Sequence, residues 1–513
     1  MGAFATEDMK RPPNSGEASR IKPDSTARAP LIALAEAMAH QSAAPAYSPI
    51  VLAGVVRLVD FVIVCASGAM VYWLYLHTYV ESAAPYMIAL PAIAALSIIT
   101  FQALDINHVG AFRTPVYQGL RLVGGFALVF LAAMALVFFL KLEGVYSRVW
   151  MLGWFGLGLV ALLVERNIIS IITRAMTRAG RLDRRTVVVG GGPGAEQLLD
   201  DLSRQKDTDL RIYGVFDDRT DARSPDVIGG YPKLGNVDDL VDFARHARID
   251  LVIFAMPITA EQRLLEMLRK LWVLPIDIRL AAHTNKLRFR PRSYSYIGNV
   301  PVLDVFDKPI ADWDVVMKSA FDRIVGAIAL VLLSPLFLVT AAAIKLDSKG
   351  PVFFRQKRYG FNNELIEVMK FRSMYSELLD PAASKLVTRD DPRVTRVGRF
   401  IRRTSIDELP QLFNVVFKGN LSLVGPRPHA VHAKAANRQY DEVVDGYFAR
   451  HRVRPGITGW AQVNGWRGET DTSEKLQRRV EHDLYYIENW SIFLDMYILA
   501  ITPFALIKAE NAY

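Results

Sequence analysis

Ile324-Val-Gly-Ala-Ile-Ala-Leu-Val-Leu-Leu-Ser334-Pro335-Leu-Phe-Leu-Val-Thr-Ala-Ala-Ala-Ile344 is an apolar run of membrane-spanning length with a proline at its centre. Proline removes a backbone donor and bends a helix. The flanks decide how to read it: Lys318 and Arg323 precede the run, and Lys345, Lys349, Arg355, Lys357 and Arg358 follow it. Basic residues collect on the cytoplasmic side of a bilayer, so both ends read as cytoplasmic. A broken helix that dips in and returns satisfies both flanks. The alternative, an ordinary kinked transmembrane helix, would carry everything after Lys345 to the far side.

Towards the N-terminus lie four more runs long enough to span hydrocarbon, about Val51–Leu76, Tyr86–Phe101, Leu120–Leu140 and Trp150–Ile172. Arg113 and Arg121 border the second loop, and Arg166, Arg174, Arg178, Arg181, Arg184 and Arg185 crowd the end of the fourth run. Both places therefore read as cytoplasmic; Lys141 and Arg148 in the third loop weaken that bias without reversing it. Residues 1–48 mix Pro, Ala, Ser and scattered charge with no apolar period, the pattern of a disordered cytoplasmic tail, and show no signal peptide. Of 513 residues 51% are hydrophobic and 22% charged, and bunching of the apolar ones into runs is a membrane protein's distribution. The net charge of +9 sits largely beside those runs, where it meets anionic headgroups, so no nucleic-acid partner is expected. Cys65 is the single cysteine, which excludes an intrachain disulfide and a cysteine metal cluster.

From Thr186 the pattern becomes that of a parallel, doubly wound α/β unit. Strands are expected at Thr186–Gly190, Ile212–Phe216, Leu251–Phe254 and Ile276–Leu280, with a helix starting at Ala195. After Lys345 a polar, basic, α-rich stretch runs to about Tyr486. Trp490–Ile507 then follows, an apolar segment whose Trp490, Asp495 and Pro503 suit an interfacial helix better than a span. The expected organisation is a tail at 1–48, four transmembrane helices at 49–175, a Rossmann-like domain at 176–300, and at 315–513 the broken helix with an α-rich monotopic domain.

Four motifs could carry chemistry. Gly190-Gly-Gly192-Pro-Gly-Ala195, with Asp217 and Asp218 after the next strand, fits a dinucleotide turn, although Pro193 removes one amide and many such turns bind nothing. In Arg402-Arg-Thr-Ser405-Ile-Asp407-Glu408-Leu-Pro410, adjacent carboxylates behind arginines can hold a divalent cation and face a diphosphate. Ser405 and Glu408 equally read as a capping box. Gly425-Pro426-Arg427-Pro428-His429 holds an arginine on a stiff loop, poised for phosphate or merely solvated. Arg454-Pro-Gly-Ile-Thr-Gly459-Trp-Ala-Gln462-Val-Asn-Gly465-Trp466-Arg467-Gly468 suits a loop gripping a base or sugar, or a packed turn.

From Lys318 onward the chain resembles the bacterial sugar transferases, the monotopic polyprenyl-phosphate hexose-1-phosphate transferases. The matching segments are Lys370–Met374, Asp391–Gly398, Arg402–Leu412, Gly425–Pro428 and Arg454–Thr472. Its whole architecture is similar to the large members that prime exopolysaccharide and capsule repeat units, and Gly459–Thr472 is most similar to the subgroup using UDP-glucose. The resemblance implies that Asp407 is the nucleophile attacking a UDP-sugar and expelling UMP, and that Glu408 is its acidic partner. It also implies Mg²⁺ held by Asp407 and Glu408, phosphate contacts from Arg402, Arg427 and Lys370, and Ser334-Pro335 as the break of a re-entrant helix. Undecaprenyl phosphate in the bilayer is the implied acceptor, at the cytoplasmic face of a bacterial inner membrane. Oligomeric state stays open, a homodimer among the options, as does any ligand for Gly190, Gly192 and Ala195. Two rival readings are a membrane-anchored nucleotide-sugar epimerase or dehydratase and a non-catalytic assembly scaffold. No Tyr-x-x-x-Lys occurs anywhere in the chain, which opposes the first. The intact Asp407-Glu408 pair opposes the second.

Overall fold

The computed structural model describes residues 47–508 except 81, 114, 143, 206–208, 220–224, 257–259, 282–294, 298–299, 377–390, 429–433, 436–437, 440–446 and 467–471. The proposed tail before Tyr47 and His429 therefore lie outside the described residues. Among the described residues five helices are long and apolar enough to cross a bilayer, and the chain is a membrane protein.

Four of them form an N-terminal bundle: α1 Pro49–Val71, continued by a π-helical turn to Leu76, α2 Ala84–Ala103, α3 Pro115–Phe139 and α4 Arg148–Arg178. Lipid is as apolar as leucine, so packing and internal hydrogen bonds hold such helices together. The indoles of Trp150 and Trp154 donate to the carbonyl oxygens of Gly68 and Val64 at 3.0 and 2.8 Å. Gly68 permits this approach, since a Cβ there would lie 2.5 Å from the Trp154 ring. Deeper in the bundle Arg166 is enclosed, with Nη2 donating to Asp60 at 2.7 Å and to Asn107 at 3.0 Å and Nη1 to Glu165. Arg166 therefore does not belong with the arginines that its sequence position groups as a cytoplasmic flank. Its charge is consumed inside the bundle.

The central domain is an eight-stranded sheet ordered β3-β4-β2-β1-β5-β6-β8-β7. Its strands are β1 Arg184–Val189, β2 Leu210–Phe216, β3 Val227–Ile228, β4 Tyr231–Gly235, β5 Leu251–Phe254, β6 Asp277–Ala281, β7 Ser295–Ile297 and β8 Val300–Phe306. β4, β2, β1, β5 and β6 run parallel, and antiparallel β3, β7 and β8 finish the edges. Alternation along β1 sends Val187 and Val189 to one core and Val188 to the other. Helix α5 Pro193–Ser203 covers the Val188 side, while α6 Val237–His246 and α7 Glu261–Leu271 cover the opposite face.

Helix α8, Asp312–Asp347, runs for 36 residues and stays helical through Pro335. The reason lies one residue earlier. Proline at 335 leaves the carbonyl of Val331 without its usual amide donor, and the Ser334 hydroxyl donates to that oxygen at 2.7 Å. Isoleucine and leucine side chains such as Ile328, Leu332 and Leu338 stay exposed along it, as befits a lipid-facing surface.

Beyond α8 the chain adds strands that the α-rich expectation did not include. β9 Phe353–Tyr359 and β10 Leu365–Phe371 form an antiparallel hairpin, turned through Asn362 and Asn363 at φ 52° and 60°. Its alternation is hard to read because Arg355, Lys357 and Arg358 interrupt the apolar positions. A short amphipathic helix, α9 Arg396–Arg403, follows, then β11 Ser422–Val424 pairing in parallel with Gly456–Thr458, and finally α10 Ser473–Glu488 and α11 Ile492–Lys508. Asp495 in α11, one of the residues that suggests an interfacial helix from sequence, is fully enclosed. It takes the Lys318 ammonium at 2.7 Å, the Tyr486 hydroxyl at 2.8 Å and the Trp490 indole at 3.2 Å.

Candidate active site

Three pieces of chain meet at one carboxylate. β10 supplies Lys370, the loop after β11 supplies Arg427, and a 3-10 turn at Ile406–Glu408 supplies the acids. Oε1 of Glu408 accepts from Lys370 Nζ at 2.9 Å and from Arg427 Nη2. Burial by itself would raise the Glu408 pKa, but the two cations overcome it and hold the carboxyl well below the usual range. Glu408 is thus anionic and already neutralised.

Its neighbour differs in kind. Among the described residues Asp407 has no hydrogen-bond or ion-pair partner. Burial pushes its pKa up to about 6, Lys370 and more weakly Arg402 and Arg427 pull it down, and the Glu408 charge adds to the rise. A carboxylate that is desolvated, unpaired and still largely ionised at neutral pH has the properties of a nucleophile.

The local backbone explains how the two acids diverge. Thr395 caps α9 by accepting from Gly398 N at 2.9 Å, and Gly398 is required there because a Cβ would lie 2.0 Å from Ser373 O. At the other end of α9, Ser405 sits in the left-handed region, φ 58°, which reverses the chain into the Ile406–Glu408 turn. The capping box open to Ser405 and Glu408 in sequence does not form: the Glu408 carboxylate points to Lys370 and Arg427 instead, and no side-chain cap is made to the turn. Arg402, in the last turn of α9, acts on Asp407 through its field, and among the described residues its guanidinium has no partner of its own.

The structure therefore gathers Asp407, Glu408, Lys370, Arg427 and Arg402. It leaves the other sequence candidates elsewhere. Arg393 is spent on Asp391, its Nε 2.9 and 3.0 Å from the two carboxylate oxygens, which holds Asp391 at a pKa of about 2. Trp460 stacks on Tyr485 at 5.8 Å within the catalytic core, so that part of the Gly459 motif is a packed turn, while residues 467–471 lie outside the described residues. Ser334 and Pro335 stay midway along α8. In the central domain Gly190 (φ 104°) and Gly192 (φ 85°) make the turn into α5, and Gly190 N donates to Phe216 O beside Asp217. Ala195 is packed in the core, Asp218 caps α6 by accepting from Val237 N at 2.9 Å, and Glu196 in the first turn of α5 opposes an approaching phosphate.

Sequence reading did not assign the residues that anchor the Arg427 loop. Lys318 and Tyr486 both donate to Val424 O, at 3.1 and 3.0 Å, and Asp322 accepts from Leu423 N at 3.2 Å. Gly425 and Gly456 abut so closely that a Cβ on Gly456 would stand 2.1 Å from Gly425 N. The one available signal was a charge, Asp495, in an otherwise apolar helix.

Residues 313–509 match the bacterial sugar transferase family, and residues 102–282 match a family described as a CoA-binding domain. The UDP-glucose:undecaprenyl-phosphate glucose-1-phosphate transferase of Xanthomonas campestris pv. campestris is 34% identical over 461 residues, 90% of this chain and 94% of that protein. The chain belongs to the bacterial sugar transferase family. A protein of the same name from Escherichia coli (strain K12) is 35% identical over 430 residues, 82% of this chain and 89% of its own length. The undecaprenyl-phosphate glucose phosphotransferase of Komagataeibacter xylinus is 41% identical over 369 residues, 70% of this chain and 66% of its own length. All of the gathered residues fall inside the transferase match, whereas the glycine turn falls inside the CoA-binding match.

Proposed function

We propose that this transferase moves glucose 1-phosphate from UDP-glucose to undecaprenyl phosphate and releases UMP, the first membrane step of an exopolysaccharide or capsule repeat unit. The observation that carries the reading is the pairing of an unpartnered Asp407 with a Glu408 neutralised by Lys370 and Arg427. In the first displacement an Asp407 oxygen attacks the glucose-bearing phosphorus, the phosphorus–oxygen bond to UMP breaks, and UMP leaves with the bridging oxygen. In the second, an oxygen of undecaprenyl phosphate attacks the same phosphorus, freeing the carboxylate and forming the lipid diphosphate sugar. Arg402, Arg427 and Lys370 offset the charge of a carboxylate meeting a diphosphate. The relatives' names supply the sugar and the lipid.

Mg²⁺ fits the acids present. Both Asp407 oxygens and Oε2 of Glu408 are without protein partners among the described residues, and Mg²⁺ commonly uses one or two carboxylates together with substrate phosphates. No described group of three or more acids, histidines or cysteines could cage a metal by protein alone. Bound there, the ion would supply further neutralisation of the diphosphate.

The site belongs at the cytoplasmic face of the inner membrane, with α8 re-entrant. Two observations support this. The N-terminal end of α8 holds Val424 through Lys318, and Arg372 Nη2 holds Ile344 O at 3.4 Å and Ser348 O at 2.7 Å at the other end. Val424 and Arg372 flank Arg427 and Lys370, which share one oxygen of Glu408. A straight helix of that length would be roughly 54 Å long and would put its ends on opposite sides of a bilayer about 30 Å thick.

A panel of UDP-sugars offered with undecaprenyl phosphate should give fastest UMP release with UDP-glucose, and EDTA should stop it until Mg²⁺ is restored. Faster turnover with another sugar would reassign the substrate, and full activity in EDTA would remove the ion. Lys318 is enclosed, so topology is better probed with cysteines at Asp314 and Lys349 in a Cys65→Ser background. Both should be blocked only by reagents that reach the cytoplasm; labelling from opposite sides would defeat the re-entrant reading.

A further inference from the structure

Arg427 carries the phosphate-facing guanidinium, yet its own backbone sits on a loop with few neighbours in sequence to fix it. Four contacts seat that loop. Val424 O is held by Lys318 and Tyr486, Gly425 N donates to Thr458 O at 2.9 Å, and Pro426 O accepts from Gly456 N at 3.0 Å. The fourth contact is on Arg427 itself: its carbonyl oxygen accepts from Arg450 Nη2 at 2.9 Å. Arg450 is 1% exposed, and its fork also clasps Asp483 of α10, Nε and Nη2 each 2.7 Å from Oδ2. A planar guanidinium spanning two acceptors fixes both position and orientation in a way a lysine ammonium cannot.

The turn that carries Arg450, the 3-10 segment Tyr447–Arg452, is also where the central domain touches the catalytic unit. Arg245, near the end of α6, lies 4.4 Å over the Phe448 ring, a cation–π contact. Close by, Asn362 at the tip of the β9–β10 hairpin donates to Ala244 O at 3.0 Å, and Arg452 Nη2 donates to Asp307 O at 3.2 Å. One short turn therefore faces α6 with Phe448 and Arg427 with Arg450.

We infer that Arg450 is a positioning residue for Arg427, and that the central domain bears on the reaction by seating the Tyr447–Arg452 turn through the Arg245–Phe448 contact. The inference rests on Arg427 contacting substrate phosphate. Preorganised donors stabilise a transition state because they need no rearrangement as charge develops, so loosening the Arg427 carbonyl costs turnover even with both charges retained. The structural alternative, an Arg450–Asp483 pair that merely holds α10, predicts lost stability with no special relation to Arg427.

A double-mutant cycle with full-length protein in membranes separates them. Arg450→Lys should lower kcat/KM for UDP-glucose roughly tenfold or more, and mostly in kcat. In an Arg427→Lys background, where the guanidinium that the carbonyl positions is already gone, the same change should cost less than about threefold. Phe448→Leu, away from the acids and mild for the fold, should give a smaller loss that also vanishes in that background. It stands in should Arg450→Lys fail to accumulate. Full activity of both variants, or an undiminished loss in the Arg427→Lys background, overturns the inference. Wild-type turnover by Arg427→Lys itself would instead overturn the phosphate role on which the inference is built.

Discussion

Two buried clusters in this protein bring a pair of acids together with basic groups, and they resolve the charge in opposite ways. In the bundle, Asp60 and Glu165 both lean on Arg166, and Asn107 accepts from the same guanidinium. In the catalytic unit Glu408 takes two cations while Asp407 takes none. The first arrangement divides one cation between two acids and fastens α1 to α4 where hydrocarbon offers no alternative partner. The second spends both close cations on one acid and leaves the other desolvated. A buried cluster is glue when each of its acids meets a basic side chain within the protein. It becomes a reaction site when one is left for a substrate to answer.

Removing the free acid is the sharpest test of that contrast. Asp407→Asn should lower UMP release by on the order of 10⁴-fold or more, since an amide cannot displace UMP. Because Asp407 has no partner among the described residues, the thermal midpoint should hold or rise. Substantial residual turnover, or a large drop in midpoint, would break the comparison.

Arg166→Met tests the other member. Breaking a buried pair by deleting one partner costs about 3–5 kcal/mol, because two acids are left unanswered. Detergent-solubilised protein should melt at a markedly lower temperature, while the molecules that stay folded should turn over near the normal rate. A selective loss of kcat with unchanged stability would make the bundle cluster part of the chemistry.

Glu408→Gln should fall between these, losing activity by roughly a hundredfold or more and stability modestly, since Lys370 and Arg427 would face an amide. Equal and small effects on both would deny Glu408 its place at the centre of the site.

The smallest expected effect is on pH dependence. Asp407 must be ionised to attack, so kcat/KM should fall on the acid side of about pH 6. Lys370 pulls the Asp407 pKa down, so Lys370→Gln should move that limb to higher pH even as it lowers the plateau. The stability linkage has the opposite sign. The folded state holds this proton more tightly than the unfolded chain, so the Asp407 contribution favours folding at low pH and is lost as pH rises through about 6. A limb that stayed put in Lys370→Gln would separate Lys370 from Asp407.

The linear sequence determined what depends on local composition and period. Runs of about twenty apolar residues require a bilayer, alternation of strand and helix requires a wound sheet, and the four N-terminal helices lie close to where hydropathy places them. Asp407-Glu408 and Arg427 are legible as chemistry because acids beside arginines and an arginine between prolines are uncommon neighbours. The β9–β10 hairpin was hidden because its exposed face is basic enough to obscure alternation, and Arg166 looked cytoplasmic because charge counting has no access to a partner 106 residues away. Lys318 and Asp495 meet across 177 residues, and Arg450 reaches Arg427 across 23. Only the tertiary structure decided which carboxylate is free, because that follows from where Lys370 and Arg427 converge. Their convergence is fixed by a sheet hairpin, a left-handed serine and a glycine-tight loop drawn from separate parts of the chain. Sequence names the groups that can carry charge; folding decides which charges cancel.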